Sequence, residues 1–218
     1  MASVQDSPVT IDVVSDAVCP WCFIGKRKLD EALKLIEDLP VQVSWRPYQL
    51  DATIPQEGIS RQDYMARKFG PERIAEIHAR IEGVGAEVGI PFAFDKITRS
   101  PNTLDAHRLI RWSQSSGRQS ELVDRLFTLY FVEGKDIGDR DVLASLAAEF
   151  GLDSADVRRR LDTDIDKQDV TEEIATAQRI GVNGVPFYIF ANRLAVSGAQ
   201  SPEVLAGAIR QAFETAKA

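Results

Sequence analysis

Hydrophobic positions along this chain follow a strand period at its two ends and a helical period in between. Val9-Thr10-Ile11-Asp12-Val13-Val14 is β-branched and mostly apolar, the pattern of a largely buried strand. A short connection over residues 15–18 leads into Cys19-Pro20-Trp21-Cys22. Pro20 suits the first helical position, where a missing N–H costs nothing and φ is already set. Cys22, Leu29, Leu33 and Ile36 then recur on one helical face until Pro40 ends the run. Val41-Gln42-Val43-Ser44-Trp45 alternates as a second strand before Arg46-Pro47-Tyr48 turns outward. The first part therefore reads β-α-β, with two cysteines where the first strand becomes a helix.

From about Ser60 to Ile180 the apolar spacing is helical throughout. Gly70-Pro71 starts a helix striped by Ile74, Ile77, Ile81, Val84 and Val88. Asn102 or Thr103 caps another through Leu104, His107 and Ile110, and a third carries Leu122, Leu126, Leu129 and Tyr130. Asp139 precedes a fourth with Val142, Leu143, Leu146 and Phe150, stopped by Gly151. A shorter helix surrounds Val157 and Leu161, and a last one runs through Val170, Ile174 and Ala177 to Gly181. Residues 51–59 and 89–101 read as long loops bearing Pro and Gly, candidates for the walls of a groove.

After Gly181-Val182-Asn183-Gly184 the strand period returns. Val185-Pro186-Phe187-Tyr188-Ile189-Phe190 and Leu194-Ala195-Val196 form a hairpin about Ala191-Asn192-Arg193. Ser201-Pro202-Glu203 is a cap, a first-turn proline and an early acid, opening a helix with Val204, Leu205, Ile209 and Phe213. The order β-α-β, helical block, β-β-α is an α/β chain in three parts, residues 1–59, 60–180 and 181–218.

Composition narrows the class. The 218 residues are 44% hydrophobic and 27% charged, values of an ordinary globular chain. A net charge of −7 opposes general affinity for nucleic acid or an anionic membrane surface. No apolar run approaches the roughly 20 residues that span a bilayer. The opening Met-Ala-Ser-Val-Gln-Asp-Ser-Pro shows no basic and apolar leader pattern, so the expected location is the cytoplasm.

The chemistry rests on the two cysteines. Cys19 falls at the helix N-cap, beside unpaired N–H groups and the positive end of the helix dipole, which favour thiolate. Cys22, one turn on, is close enough for the sulfurs to join. An exposed nucleophile and a buried resolving thiol are what thiol–disulfide exchange needs. The same pair also reads as two small buried hydrophobes, or as half a zinc site. For zinc, the other ring-nitrogen ligands are His78 and His107, far from zinc-finger spacing; no metal site is expected. A second signal is Val185-Pro186 at a strand start, where proline removes a ladder hydrogen bond and requires an edge, a bulge or a turn.

Together, Cys-X-X-Cys after the first strand and Gly-Val-Pro before the hairpin resemble the thioredoxin fold, and the helical block resembles the all-helical insertion of DsbA-type oxidoreductases. Several further segments are similar to the FrnE-like branch, which is related to 2-hydroxychromene-2-carboxylate isomerases and kappa-class glutathione transferases. They are Ser15-Asp16, Phe23-Ile24-Gly25-Lys26, Arg46-Pro47-Tyr48-Gln49-Leu50, Asn102-Thr103, Ala106-His107-Arg108-Leu109 and Gly181 to Phe187. The resemblance implies Cys19 as attacking thiolate, Cys22 as resolving thiol, and Pro186 as a cis-proline facing them. It also implies that the Val185 backbone pairs with an extended substrate, and that Pro20 and Trp21 tune the reduction potential. Related oxidoreductases often bury an acid six residues before the first cysteine; here Val13 stands there, with Asp12 and Asp16 nearby.

Other residues read as follows. Lys26 is either a stabiliser of the thiolate or a plain surface lysine. His107 lies on the apolar stripe of its helix, as a hydrogen-bonded core histidine or as a groove residue beside Cys19. Asn102 belongs to the candidate substrate-binding set. Trp21 is expected to be exposed and to contact substrate, while Trp45 and Trp112 read as core and His78 as surface. The acidic stretch from Asp153 to Glu173 reads as a solvated helical surface. Three functions compete. The first is a thiol–disulfide oxidoreductase on protein or small-molecule disulfides, needing no cofactor and recharged by glutathione or a thioredoxin-type reductant. The others are a glutathione-dependent isomerase or transferase of an aromatic molecule, and a peptide-binding, holdase-like module.

Overall fold

The computed structural model describes residues 8–217; the leader reading of the first residues lies largely outside them. Strand β1 (Val9–Ser15) enters helix α1 (Pro20–Lys34), which returns to strand β2 (Val41–Pro47). β1 and β2 pair in parallel, Val9 opposite Val41 and Ser15 opposite Pro47. The helical block follows. Its helices are α2 (Arg61–Phe69), α3 (Ile74–Glu87), α4 (Leu104–Ser113), α5 (Gln119–Phe131), α6 (Arg140–Glu149), α7 (Ser154–Leu161) and α8 (Lys167–Arg179). Within it, β3 (Ile59–Ser60) and β4 (Arg99–Ser100) make a small antiparallel ribbon. The chain closes with β5 (Phe187–Phe190), β6 (Leu194–Ser197) and α9 (Pro202–Lys217).

The main sheet has the order β2-β1-β5-β6, with β5 antiparallel to β1 and β6 antiparallel to β5. A parallel β-α-β unit joined edge to edge with a β-hairpin and a closing helix is a thioredoxin fold, here carrying a helical insertion between its halves. Side chains alternate across the sheet, so each face has its own core. Ile11 and Val13, opposite Phe190 and Tyr188, join the large core that includes residues of α1 and α9. Val14, with Tyr48, Ala177 and Val182, forms a smaller one on the α8 face.

The large core is continuous between the thioredoxin halves and the insertion. Phe23 on α1 stacks on Phe127 of α5 at 5.2 Å between centroids, and Phe92, Phe94 and Phe131 extend the aromatic cluster. Such rings carry a large apolar area, and truncating one in a close-packed core costs about 3–5 kcal/mol.

Local signals set most boundaries. Asp139 and Asp153 cap α6 and α7 by accepting from Asp141 N and Asp156 N, at 2.7 and 2.9 Å. Thr103 is the N-cap residue of α4 without a side-chain cap bond; the Asn102 side chain accepts from Leu104 N at 2.9 Å instead. Ala191 and Asn192 adopt left-handed φ of 50° and 54°, the geometry of a tight hairpin turn. Three expectations need correction. Helix α2 has no counterpart in the sequence reading, because it buries only Met65 and shows no apolar stripe. The last hairpin starts at Phe187 rather than Val185, since Pro186 has no N–H for the ladder. His78 is half-buried rather than on the surface, its ring stacked 4.3 Å from that of Phe94.

Candidate active site

Cys19 is the N-cap residue of α1, extended at φ −95° and ψ 112°, with Pro20 in the first turn behind it. Its carbonyl accepts the first helical bonds from Cys22 N and Phe23 N, at 3.0 and 3.3 Å. The sulfur turns across the sheet end to the other half of the fold. Cys19 Sγ donates to the carbonyl oxygen of Val185 at 3.6 Å, across 166 residues of sequence. The Val185–Pro186 peptide bond is cis. A thiol makes that contact and a thiolate does not, so ionisation of Cys19 releases the Val185 carbonyl.

Both thiols are free, and both are buried: Cys19 is 4% exposed and Cys22 is 0%. The expected exposed nucleophile is thus corrected. The sulfur that faces the solvent in a bare helix N-cap is here tucked against the Val185 loop. Trp21 is also corrected: it is half-buried against the core rather than exposed, with the Arg80 guanidinium of α3 lying 5.9 Å from its ring centroid.

Cys22 sits wholly inside the protein. Burial pushes its thiol well above the ordinary 9.0, and the hydrogen bond and charge of Cys19 push it further; hydrogen bonds from the Ser15 side chain and the Asp16 backbone pull the other way. One turn on, Gly25 faces the sheet. A β-carbon there would collide with Tyr188 Oη and stand 2.8 Å from Pro186 Cγ, so only glycine lets β5 approach α1 this closely. Tyr188 Oη is buried with no hydrogen-bond partner among the described residues.

The family model described as "DSBA-like thioredoxin domain" matches residues 10–210. The chain belongs to the DsbA-like thioredoxin family. It is 28% identical over 205 residues to the uncharacterized protein YwbO of Bacillus subtilis strain 168, an alignment spanning 92% of this chain and 96% of that one. Its fold superposes with a TM-score of 0.84 on a probable DsbA oxidoreductase, SCO1869, of Streptomyces coelicolor, at 27% identity over 94% of this chain and 90% of the other. Two more distant structures share the fold. A 2-hydroxychromene-2-carboxylate isomerase has a TM-score of 0.70 at 15% identity, covering 95% and 98% of the two chains. The cytosolic disulfide reductase DsbM of Pseudomonas aeruginosa, in a structure with GSH, has 0.63 at 17%, covering 95% and 97%. Membership of this DsbA-like family supports an oxidoreductase or isomerase role.

Within this DsbA-like frame the remaining candidates separate by position. Asp12 points to the α8 face and pairs with Arg46 at 2.6 Å, away from α1. Asp16 is buried, accepts from Leu50 N at 2.8 Å and lies 3.6 Å from His107 Nε2. His107 is a core histidine whose Nε2 also meets the Tyr48 carbonyl at 2.8 Å. The Asn102 amide is spent on Ile54 O, Gln49 and Leu104 N, pinning the 49–54 segment to the start of α4. Lys26 is not a surface residue. It is buried and donates to both Asp30 oxygens at 2.8 and 2.6 Å, with Asp124 4.0 Å away. Among the described residues no cluster of His, Cys, Asp or Glu is arranged to hold a metal, and no helix is long and apolar enough to cross a membrane.

Two features escaped the sequence reading. Arg108, quoted there only as part of a motif, is wholly buried beside Asp105; a helical Asp and Arg three residues apart look the same when solvated. Tyr188 read as an ordinary apolar strand residue. The glycine opposite it was the available clue, since a Gly in a helix interior is costly unless something must come close.

Proposed function

We propose that this chain is a thiol–disulfide oxidoreductase in which Cys19 attacks and Cys22 resolves. The observation that carries the reading is Cys19 Sγ at the start of α1, 3.6 Å from the carbonyl of Val185 in the cis Val185–Pro186 pair. An anion on that sulfur lies at the positive end of a 15-residue helix.

The Cys19 thiolate attacks one sulfur of a substrate disulfide, breaking the S–S bond and expelling a substrate thiolate, which takes up a proton. Cys19 is then held in a mixed disulfide and carries no charge. Burial still favours the Cys22 thiol, but the hydrogen bond and charge of Cys19 that raised it further are gone; Cys22 gives its proton to the departing substrate thiolate as its sulfur attacks Cys19. The second substrate thiol leaves, and the protein keeps a Cys19–Cys22 disulfide: two electrons have passed to the substrate. The reverse sequence oxidises a substrate dithiol. The Val185 carbonyl, freed when Cys19 ionises, is available to pair with an extended peptide or a small disulfide. A dithiol of this kind is recharged by glutathione or a thioredoxin-type reductant in a reducing cytosol; the GSH in the DsbM structure supports the first.

The test is turnover of an insulin or glutathione disulfide by wild type, Cys19→Ser and Cys22→Ser. Loss of turnover in Cys19→Ser, with a trapped mixed disulfide in Cys22→Ser, is expected. Full turnover in Cys19→Ser overturns the reading. Hydroxychromene carboxylate turnover indifferent to Cys22 would replace it with the glutathione-dependent isomerase.

A further inference from the structure

Tyr188 stands directly opposite Val13 in the β1–β5 pairing, so both side chains point to the α1 face of the sheet. On α1, Cys22 and Gly25 lie three residues apart and share a face. Because position 25 has no side chain, the Tyr188 hydroxyl reaches the helix one turn from Cys22, with the Pro186 ring packed beside it. That hydroxyl is buried and unpartnered among the described residues, an arrangement that proteins rarely keep without a use. A phenylalanine would fill the same space with nothing stranded. Of the nearby carboxylates, Asp12 of β1 is on the opposite face, and Asp16, just past β1, accepts from Leu50 N with one oxygen and holds the other, which has no hydrogen-bond partner among the described residues, 3.6 Å from His107 Nε2.

We propose that Tyr188 is a positioning residue for the resolving thiol, its hydroxyl donating to the Cys22 sulfur as that sulfur becomes an anion. The inference rests on the exchange reading above and deepens it. Charge appears on Cys22 only after Cys19 has entered a mixed disulfide, in a place already closed to water. A donor held in readiness stabilises the anion without reorganisation at that moment. Burial and the two nearby sulfurs keep the phenol itself protonated, so it remains a donor. The atoms balance as before: the Cys22 proton leaves with the departing substrate thiol, the Cys19–substrate bond breaks, and the Cys19–Cys22 bond forms. Tyr188 keeps its proton throughout.

A coloured aromatic disulfide, dithiobis-nitrobenzoate, tests this with the full chain. Its first thiol is released by Cys19 and its second by Cys22, so one stopped-flow trace separates the two steps. Tyr188→Phe, which keeps the ring, is expected to slow the second release about tenfold, the scale of one hydrogen bond to a charged group, with the first release unchanged. An unchanged second release in Tyr188→Phe overturns the proposal, and so does equal slowing of both releases, which marks a structural role. A wild-type trace with no first release removes the exchange reading itself, and with it the step that Tyr188 serves.

Discussion

Asp105 and Arg108, one turn apart on α4 and both closed to solvent, form an ion pair of 2.6 Å. The rest of the guanidinium donates to the carbonyls of Arg160, Leu161, Thr163 and Ile165, at 2.8, 3.3, 2.9 and 2.8 Å. These carbonyls lie at the end of α7 and in the turn beyond it, where helix-terminal acceptors need donors from elsewhere. The second Asp105 oxygen accepts from Arg140 and Gln56. One buried pair thus ties α4 to α6, α7 and the 51–59 segment.

Arg108→Ala takes from Asp105 one of its two arginine partners and leaves four carbonyls without their donor, so it should cost about 3–5 kcal/mol in urea unfolding. Arg108→Lys should recover little of it, because an ammonium cannot reach four carbonyls with a planar fork. A loss below about 1 kcal/mol in the alanine variant would show that the network is dispensable.

Alkali should weaken the fold in steps. Burial raises the Cys22 thiol well above 9.0 and the Tyr188 phenol well above 10.0, and it pushes Tyr130 up to about 12. The folded chain then holds protons that the unfolded chain releases, so stability is full below those ordinary values and falls as pH rises past them. The slope is about 1.4 kcal/mol per pH unit for each group engaged. Cys22→Ala should delay the onset from near pH 9.0 toward 10.0, read by denaturation at a series of pH values. An onset unmoved by that change would contradict the burial of the thiol.

Cys19→Ala should make Cys22 easier to ionise, since the hydrogen bond and charge of Cys19 both raise it. It should nevertheless leave Cys22 above 9.0, because burial is the larger cause. Thiolate absorbance against pH in the two single-cysteine proteins reads this directly. A Cys22 titration at or below the value of a free thiol would mean the site is wetter than described.

Asn102→Ala should lower stability by about 1–3 kcal/mol through three lost hydrogen bonds, with thiol release rates unchanged. The opposite outcome, full stability with weakened substrate binding, would return Asn102 to the substrate-binding set.

The sequence by itself determined what depends on near neighbours along the chain. The alternation in Val9 to Val14, the proline behind Cys19, Asp139 before its helix and the Ala191-Asn192 turn each specify a local conformation with a short list of partners. Their order was enough to place two cysteines at a strand-to-helix junction and to identify the thioredoxin arrangement. Only the tertiary structure decided which distant groups meet. It closed Cys19 against Val185, brought Asp124 to Lys26, turned Asp12 away from α1, and set Tyr188 opposite Val13 under Gly25. Burial and pairing belong to the packed chain rather than to any stretch of it: the same lysine, arginine or tyrosine is a solvated surface residue until another element excludes the water around it.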